Sequence, residues 1–183
     1  SCHLQFFARV ENILCATNRQ ALQAAAVEAA RLGYEAEILT DCLSGEARKM
    51  AVELCNTALE RQKSLAGNKL CLLAGGETTV TIKGDGKGGR NQEMALAANI
   101  CLAQTRGICA LFAGTDGSDG PTDAAGGFAF AHGVEKMGGL TNAGNFLDEN
   151  NSNKALALAG ELLVTGPTRT NVMDMAILLV EAL

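Results

Sequence analysis

The sequence has 183 residues, of which 48% are hydrophobic and 19% are charged, a balance that indicates a folded globular chain and excludes an intrinsically disordered one. The formal net charge is -5, and no run of Lys and Arg is long enough for a nucleic-acid or lipid surface, so neither partner is expected. The apolar stretch near the end, residues 175–180, is far too short to cross a bilayer.

Cysteine usage and the start of the chain bear on the cellular compartment. There are seven cysteines, an odd number, with no Cys-x-x-Cys pair, and Cys71 and Cys109 lie inside apolar runs. This pattern favours buried, reduced thiols over disulfides or a zinc site. Residues 1–4 (Ser-Cys-His-Leu) lack Met and the features of a signal peptide, as in a chain cut from something longer. We expect a cytoplasmic protein, with an organellar form left open.

Short apolar runs alternate with helical patterns along the chain. Strands are predicted over 10–15, 34–40, 70–74, 77–83, 108–113, 128–131, 162–165 and 176–180. Helices are predicted to begin at Thr17 or Asn18, at Ser44 and near Arg90, with one or two more in 145–159. This order predicts a single α/β domain over residues 1–183, with a mixed or mostly parallel sheet flanked by helices.

Four glycine-rich segments are expected to carry the chemistry, because each follows a predicted strand or leads into a helix. They cover 75–78, 84–93, 114–126 and 165–171. In open α/β sheets, ligands bind outside the carboxyl ends of the strands. We therefore expect the four segments to lie at a common edge of the sheet and to form one site.

The first two segments combine glycines with charged residues. In 75–78 (Gly-Gly-Glu-Thr), a ligand could approach the backbone beside a carboxylate and a hydroxyl; a tight turn is the alternative. In 84–93, glycines expose N–H groups before a helix, and Lys87 and Arg90 add two cations, which predicts a cradle for phosphate or carboxylate. This is not a Walker A loop, since Gly-x-x-x-x-Gly-Lys-Ser/Thr is absent, and a plain glycine turn is the alternative.

The third segment, 114–126, is acidic. Asp116, Asp119 and Asp123 lie within eight residues with no basic residue between them, so the three carboxylates would repel one another if uncompensated. A Mg²⁺ ion bridging to nucleotide phosphates would relieve the repulsion, because Mg²⁺ usually takes only one or two protein carboxylates. The spacing does not fit an EF-hand loop. A solvated turn is the structural alternative.

The fourth segment, 165–171 (Thr-Gly-Pro-Thr-Arg-Thr-Asn), places hydroxyls and an amide around a Gly-Pro turn. These groups could hold a polar ligand or belong to a plain connection between strands. Elsewhere, His132 is predicted to be a surface residue. Ser44 and Ser118 have no evident base partner, so a serine-nucleophile hydrolase is disfavoured.

Together the segments resemble the signature runs of one enzyme family, the MOFRL-containing glycerate kinases. The similar runs, in the family's order and at similar spacing, are Leu-Ala-Gly-Gly-Glu-Thr-Thr-Val at 73–80, Gly-Lys-Gly-Gly-Arg-Asn-Gln-Glu at 86–93, Gly-Thr-Asp-Gly at 114–117 with Asp-Gly-Pro-Thr-Asp-Ala-Ala-Gly at 119–126, and Thr-Gly-Pro-Thr at 165–168 with Thr-Asn-Val at 170–172. The stretch from Asn12 to Arg48 is also similar, so the resemblance covers nearly the whole chain from about Arg9.

The resemblance implies the C-terminal domain of a two-domain enzyme, with the active site between the domains and the upstream Rossmann-like domain missing from this chain. Residues 1–8 would be a linker remnant and 69–183 the MOFRL-like module. The implied reaction transfers the γ-phosphoryl group of ATP to a hydroxyl of glycerate with Mg²⁺. The expected cofactors are ATP and Mg²⁺, and the expected partners are glycerate, nucleotide and the missing domain, with a homodimer left open.

The resemblance also implies which residues form the site. Arg90, Asp116 and Glu77 are expected to be catalytic, and Asp116 and Asp119 are expected to bind the metal. Substrate or nucleotide binding is expected from Gly75, Gly76, Thr78, Lys87, Gly88, Gly89, Asn91, Glu93, Thr115, Asp119, Asp123, Thr168 and Asn171.

Two segments depart from the family pattern. Arg169 stands where a glycine is usual, and since glycine tolerates positive φ without steric cost and arginine does not, we expect a strained loop or an altered ligand contact. Residues 150–153 (Asn-Asn-Ser-Asn) replace an Asn-Asp-Ser-Tyr run and lose an acid and an aromatic ring.

Two other functions compete with the kinase. Some family members are named hydroxypyruvate reductases, but no Gly-x-Gly-x-x-Gly with a following acid supports nicotinamide binding here. The other competitor is a nucleotide- or anion-binding module without catalysis. Because phosphoryl transfer needs both substrates positioned in a closed site, we expect the isolated chain to fold but to be inactive.

Overall fold

The computed structural model describes residues 10, 11 and 13–183. Its elements, in chain order, are α1 (Asn18–Arg31), β1 (Glu35–Leu43), α2 (Ala47–Ser64), β2 (Lys69–Gly76), α3 (Arg90–Cys101), β3 (Ile108–Gly114), β4 (Gly126–Phe130), α4 (Gly133–Lys136), α5 (Leu140–Asp148), α6 (Ser152–Ala159), β5 (Leu162–Leu163) and β6 (Asp174–Glu181). In this part of the chain, the strands form a six-stranded sheet in the order β1-β2-β6-β3-β4-β5. The β1–β2 pair is parallel and the other pairs are antiparallel, so the expected α/β fold has the mixed form of sheet.

Helix α1 begins and ends where its sequence predicts. The Thr17 hydroxyl accepts the Gln20 N–H at 3.2 Å, and the Gln20 side chain accepts the Thr17 N–H at 2.9 Å, which together form a capping box. Gly33, with φ +87°, ends the helix. Through Leu22 and Ala29, α1 packs on one face of β1 and β2.

Helices α2 and α3 cover the opposite face of the sheet and enclose the main core. The predicted apolar face of α2 is buried, including Ala47, Ala51 and Leu54. Residues 91–99 of α3 are all buried, because α5 and α6 pack on its outer side. This burial fixes α3 firmly, and with it the residues at its amino end.

The predicted strand at residues 10–15 is wrong for the residues that the structure describes. They form no strand, and Ile13 and Leu14 are exposed because no neighbouring strand pairs with them. Asn12 and the expected linker remnant at 1–8 lie outside the described residues.

The predictions for Ser44 and for residues 77–83 are also wrong, for a common reason. Glu46, not Ser44, is the N-cap of α2, and its carboxylate makes no cap bond. It accepts instead the N–H and the hydroxyl of Thr81 at 3.1 and 2.9 Å. Residues 77–83 are irregular apart from one bridge between Glu46 and Thr79. Alternating polarity alone does not make a strand when no partner strand lies beside it.

The sheet brings the functional segments to one edge, as expected. Asp174, the first residue of β6, pairs with Gly76 at the end of β2 and with Gly114 at the end of β3. Because β6 runs antiparallel to both strands, its amino end lies beside their carboxyl ends. The segments that follow β2 and β3, and the segment that precedes β6, therefore meet around Asp174.

Candidate active site

Arg90, the first residue of α3, is held by two carboxylates. Its Nε and Nη2 donate to Oδ2 and Oδ1 of Asp174 at 2.5 and 3.0 Å. Its Nη1 lies 2.9 Å from Oε1 of Glu77. The hydrogen bonds to Asp174 raise the pKa of the Arg90 guanidinium, so the group stays charged. The first predicted catalytic residue is thus a fixed cation at the edge of the sheet.

A cleft of about 550 Å³ opens beside Arg90. The predicted residues Glu77, Thr78, Gly88 and Gly89 line it. In the described part of the chain, the N–H groups of Gly88 and Gly89 donate to no protein acceptor. Two such donors beside a guanidinium are suited to bind an anion.

Asp119 caps the start of α3, although it lies far from that helix in the sequence. Its Oδ1 accepts the N–H of Asn91 at 3.1 Å, and its Oδ2 accepts the N–H and the side-chain amide of Gln92 at 2.8 and 2.9 Å. These bonds satisfy donors that the helix leaves open at its start. Asp119 is 3% exposed, and burial raises its pKa in spite of the hydrogen bonds. Both oxygens are used inside the protein, which weighs against the predicted role of Asp119 as a metal ligand.

The glycine loop before α3 rests on the segment between α5 and α6. Oδ1 of Asn150 accepts the N–H groups of Lys83 and Gly84 at 2.6 and 3.1 Å. At Gly88, a Cβ would overlap the hydroxyl of Ser152. Close packing therefore accounts for the glycine there, and the same residue also lines the cleft.

Glu93, predicted as a binding residue, is a buried ion-pair partner at the floor of the cleft. Its Oε1 accepts from Nε of Arg48 at 2.9 Å, and its Oε2 accepts from Nδ2 of Asn150 at 3.0 Å. The Glu93 side chain is 2% exposed. These contacts join α2, α3 and the segment between α5 and α6, so Glu93 shapes the cleft.

The carboxyl end of β2 is buried. The side chain of Asn18 occupies the place where a Cβ on Gly75 would lie, and a Cβ on Gly76 would collide with the backbone of Leu43. Protein packing thus accounts for both glycines, which are the last residues of a strand and not the tight turn of the alternative prediction. Thr78 is buried as well, but it lines the cleft.

Hydrogen bonds join the acidic segment to the Gly-Pro segment. The N–H of Thr168 donates to the carbonyl of Asp116 at 3.1 Å, and its hydroxyl donates to the carbonyl of Thr115 at 2.5 Å. Nδ2 of Asn171 donates to Oδ2 of Asp116 at 3.3 Å. The third and fourth predicted segments therefore form one unit.

Asp116 lies close to the Asp174 clamp, the pair of hydrogen bonds that Asp174 accepts from Arg90. A Cβ on Gly114 would lie 3.2 Å from Oδ1 of Asp116 and 3.5 Å from Oδ1 of Asp174, so both carboxylates border the same point. The Asp116 side chain is only half-buried. Both of its oxygens also accept hydrogen bonds within the protein, but its greater exposure leaves it open to a ligand, whereas Asp119 is buried.

Lys87 and Asp123 lie outside the cleft that Arg90 borders. Both are exposed, and both line a separate cavity of about 390 Å³. The backbone of Lys87 is tied down, since its carbonyl accepts the N–H of Asn153 at 3.0 Å. The structure thus brings most of the predicted binding residues together but sets these two apart.

Residues 70–174 match the model of the MOFRL family, which is more than half of the chain. The chain belongs to the MOFRL family. It is 43% identical over 151 residues to the D-glycerate 2-kinase of Thermotoga maritima, covering 79% of this chain and 36% of that protein. It is 42% identical over 177 residues to the glycerate 2-kinase of Pyrococcus horikoshii, covering 93% of this chain and 40% of that protein.

The fold of this MOFRL chain is also similar to that of solved structures. The crystal structure of the Thermotoga maritima glycerate kinase matches 94% of this chain with a TM-score of 0.88 and 40% identity, over 42% of its own length. The chain therefore spans between 36% and 42% of the length of these relatives. None of the helices among the described residues is both long and apolar enough to cross a membrane.

Arg169, which departs from the MOFRL pattern, is strained as expected. Its φ is +63°, in the left-handed region, where a residue with a Cβ costs about 1–2 kcal/mol. The bonds of Thr168 to Asp116 and Thr115 hold the loop on one side. On the other side, the N–H of Val172 donates to Oγ1 of Thr115 at 2.9 Å.

Asp174, the residue at the centre of this MOFRL site, was not predicted from the sequence. A usable signal was present, because Asp174 is an acid inside the largely apolar run 172–180. A buried charge requires a partner, so such an acid predicts a buried cation. Asn150 and Gln92 were missed for another reason, since no local pattern links them to the distant groups that they bind.

Proposed function

We propose that this MOFRL chain forms one side of the active site of a glycerate kinase, which transfers the γ-phosphoryl group of ATP to a hydroxyl of glycerate. The names of its relatives support the proposal, among them a glycerate kinase of Rattus norvegicus that is 33% identical over 92% of this chain. The observation that carries it is the Arg90 guanidinium, fixed by Asp174, in a cleft that is also lined by Gly88 and Gly89, whose N–H groups donate to no acceptor among the described residues.

These groups suit the chemistry of phosphoryl transfer. Negative charge spreads over the phosphoryl oxygens in the transition state, and catalysis consists mainly of positioning and electrostatic stabilisation. In the proposal, Arg90 and the two glycine N–H groups bind phosphate oxygens. The first N–H groups of α3 do not take part, because Asp119 already accepts those of Asn91 and Gln92.

Asp116 is the proposed protein ligand for Mg²⁺. Its carboxylate is half-buried and borders the clamp on Arg90, which fits an ion that sits between protein and phosphates. The described residues offer no group of three or more His, Cys, Asp or Glu side chains arranged for a metal. The proposed ion therefore depends on phosphates and water for its other ligands, as is usual for Mg²⁺. When bound, it would neutralise part of the phosphate charge.

The proposed partner of this chain is the rest of the same protein. The relatives are more than twice as long as the part that this chain matches. Phosphoryl transfer requires a closed site that positions both substrates, so the remaining domain would supply the other wall of the cleft and further catalytic residues. A homodimer and a cytoplasmic location stay predictions.

The test is a pair of assays on the complete protein that contains this chain. With glycerate and Mg²⁺-ATP, we expect ADP release in a coupled assay; with hydroxypyruvate and NADH, we expect no oxidation. A reductase is the alternative function that these assays test, because two Agrobacterium vitis relatives, 39% and 38% identical, are provisionally named hydroxypyruvate reductases. NADH oxidation without ADP release would overturn the proposal. ADP binding without either activity would favour the non-catalytic module.

A further inference from the structure

The two carboxylate partners of Arg90 differ in geometry and in burial. Asp174 makes a bidentate pair through Nε and Nη2, and its side chain is 10% exposed. Glu77 makes a single contact through Nη1, and its side chain is 57% exposed. A bidentate pair fixes the plane of a guanidinium, whereas an exposed single pair contributes little to stability.

The surroundings of the two acids also differ: Asp174 is held within the sheet, whereas Glu77 is not. Asp174 is locked in the sheet between Gly76 and Gly114, and its carbonyl accepts from Nδ2 of Asn18 at 2.9 Å. Glu77 lies on the irregular segment that follows β2 and lines the cleft. Among the described residues, its carboxylate has no polar partner other than Arg90. Rotation of the Glu77 side chain would therefore free Nη1 without disturbing the other two bonds.

We propose that Asp174 is a positioning residue that aims Arg90 into the cleft, and that Glu77 is a counter-anion which an incoming phosphate group displaces from Nη1. The inference rests on the proposed function, since it takes the ligand to be a nucleotide phosphate. A phosphate group offers several charged oxygens, so it competes well with one exposed carboxylate. The Asp174 clamp holds the guanidinium in place while the exchange occurs.

Charge alone and the proposal make opposite predictions for one of two variants. Glu77→Gln and Asp174→Asn each remove one negative charge beside Arg90, so by charge alone both should bind an anion more tightly. We expect metal-free ADP, titrated into the 183-residue chain by calorimetry, to bind about 2- to 5-fold more tightly to Glu77→Gln. We expect it to bind about 10-fold more weakly, or worse, to Asp174→Asn.

A third variant keeps the test decisive if Asp174→Asn does not fold, which circular dichroism would show. Asp174→Glu keeps the charge but moves the carboxylate, and we expect it to weaken ADP binding as well. As a second readout, the Arg90 Nε–H signal in a ¹⁵N spectrum should persist in Glu77→Gln and exchange away in both Asp174 variants. Weaker ADP binding and loss of the Arg90 Nε–H signal in the Asp174 variants, together with tighter ADP binding in Glu77→Gln, support the proposal.

Two results would overturn the inference, and a third would overturn the anion site on which it depends. Tighter ADP binding by both Glu77→Gln and Asp174→Asn would show that Asp174 acts only through its charge and does not position Arg90. An unchanged dissociation constant in Glu77→Gln would show that no displacement occurs. If neither the wild type nor any variant binds ADP or pyrophosphate, the anion site on this chain is wrong. The proposed function is judged separately, by ADP release from the complete protein.

Discussion

The carboxylate of Asp119 caps α3 by accepting the backbone N–H of Gln92 at 2.8 Å, across 27 residues of sequence. It also accepts the N–H of Asn91, so it holds the turn in which Arg90 lies. An acid that is expected from the family resemblance to bind a metal is thus part of the support of a helix. The position of Arg90 depends on Asp119 behind it as well as on Asp174 beside it.

Removing this cap should destabilise the fold. We expect Asp119→Ala to lower the free energy of unfolding by about 2–4 kcal/mol, because it deletes an N-cap and leaves buried N–H donors unpaired. Urea unfolding of the metal-free chain measures the change. Asp123→Ala, at an exposed acid of the same segment, is the matched control and should change stability by less than about 0.5 kcal/mol. Equal effects at the two positions would contradict the capping role.

The sequence predicted those parts of the fold that local patterns determine. The capping box at Thr17, the glycine at the end of α1 and the apolar face of α2 depend on residues within a few positions of one another. The buried run of β2 follows from its continuous apolar character. Arg90 was placed correctly at the start of a helix, because the glycines before it mark that boundary.

The remaining features depend on contacts between distant parts of the chain. The partners of Asp174 and Asp119 lie 84 and 27 residues away. Gly75 requires glycine because Asn18 packs against it, not because a ligand does. Residues 77–83 alternate like a strand, yet Glu46 and Asn150 hold them in an irregular path. Local periodicity contains no information about such partners.

Glu161 should make stability depend on pH. It is 2% exposed, and burial raises its pKa, although Asn99 and the Lys136 ammonium act in the opposite direction. A carboxyl whose folded pKa is raised contributes its stability when protonated, below the unfolded pKa, and loses it as pH rises through the folded pKa. We therefore expect the stability of the wild type to fall relative to Glu161→Gln as pH rises from the ordinary pKa of a glutamate, about 4, into the neutral range.

Thermal melts of both proteins across that range measure the effect. The melting temperature of Glu161→Gln should exceed that of the wild type near neutral pH, and the difference should shrink in acid. Glu135→Gln, at an exposed acid on α4, is the control and should show no such trend. A difference that stays constant with pH would show that Glu161 keeps its ordinary pKa in the folded protein.

Replacing the strained arginine should stabilise the loop before β6. Arg169→Gly relieves the left-handed conformation at φ +63°, and we expect a gain of about 1 kcal/mol in the free energy of unfolding. For a chain of this size, that corresponds to a rise of roughly 2–4 °C in Tm. Thr170→Gly, at a neighbour without positive φ, should lower Tm instead. A lower Tm for Arg169→Gly would mean that the arginine side chain contributes more than the strain costs.

The isolated chain should fold and bind nucleotide or Mg²⁺ weakly, with little or no turnover of glycerate. Effective molarities of roughly 10⁵ M or more are lost when half of the positioning groups are missing. A coupled ADP-release assay on the purified 183-residue chain, with glycerate and Mg²⁺-ATP in excess, measures this. The complete protein serves as the positive control. Turnover of about 1–10 s⁻¹ by the chain alone, which is typical of a working enzyme, would contradict a divided active site.

Arg90→Ala in the complete enzyme tests the central claim most directly. Arg106→Ala, at an exposed arginine away from the cleft, removes an equal charge as the control. The measurement is kcat/KM for glycerate and Mg²⁺-ATP in the coupled ADP-release assay. We expect Arg90→Ala to lower it by roughly 10²-fold or more, since a cation at developing charge contributes a few kcal/mol, and Arg106→Ala to leave it near wild type. Near wild-type kinetics for Arg90→Ala would contradict the assignment of this cleft as the site of phosphoryl transfer.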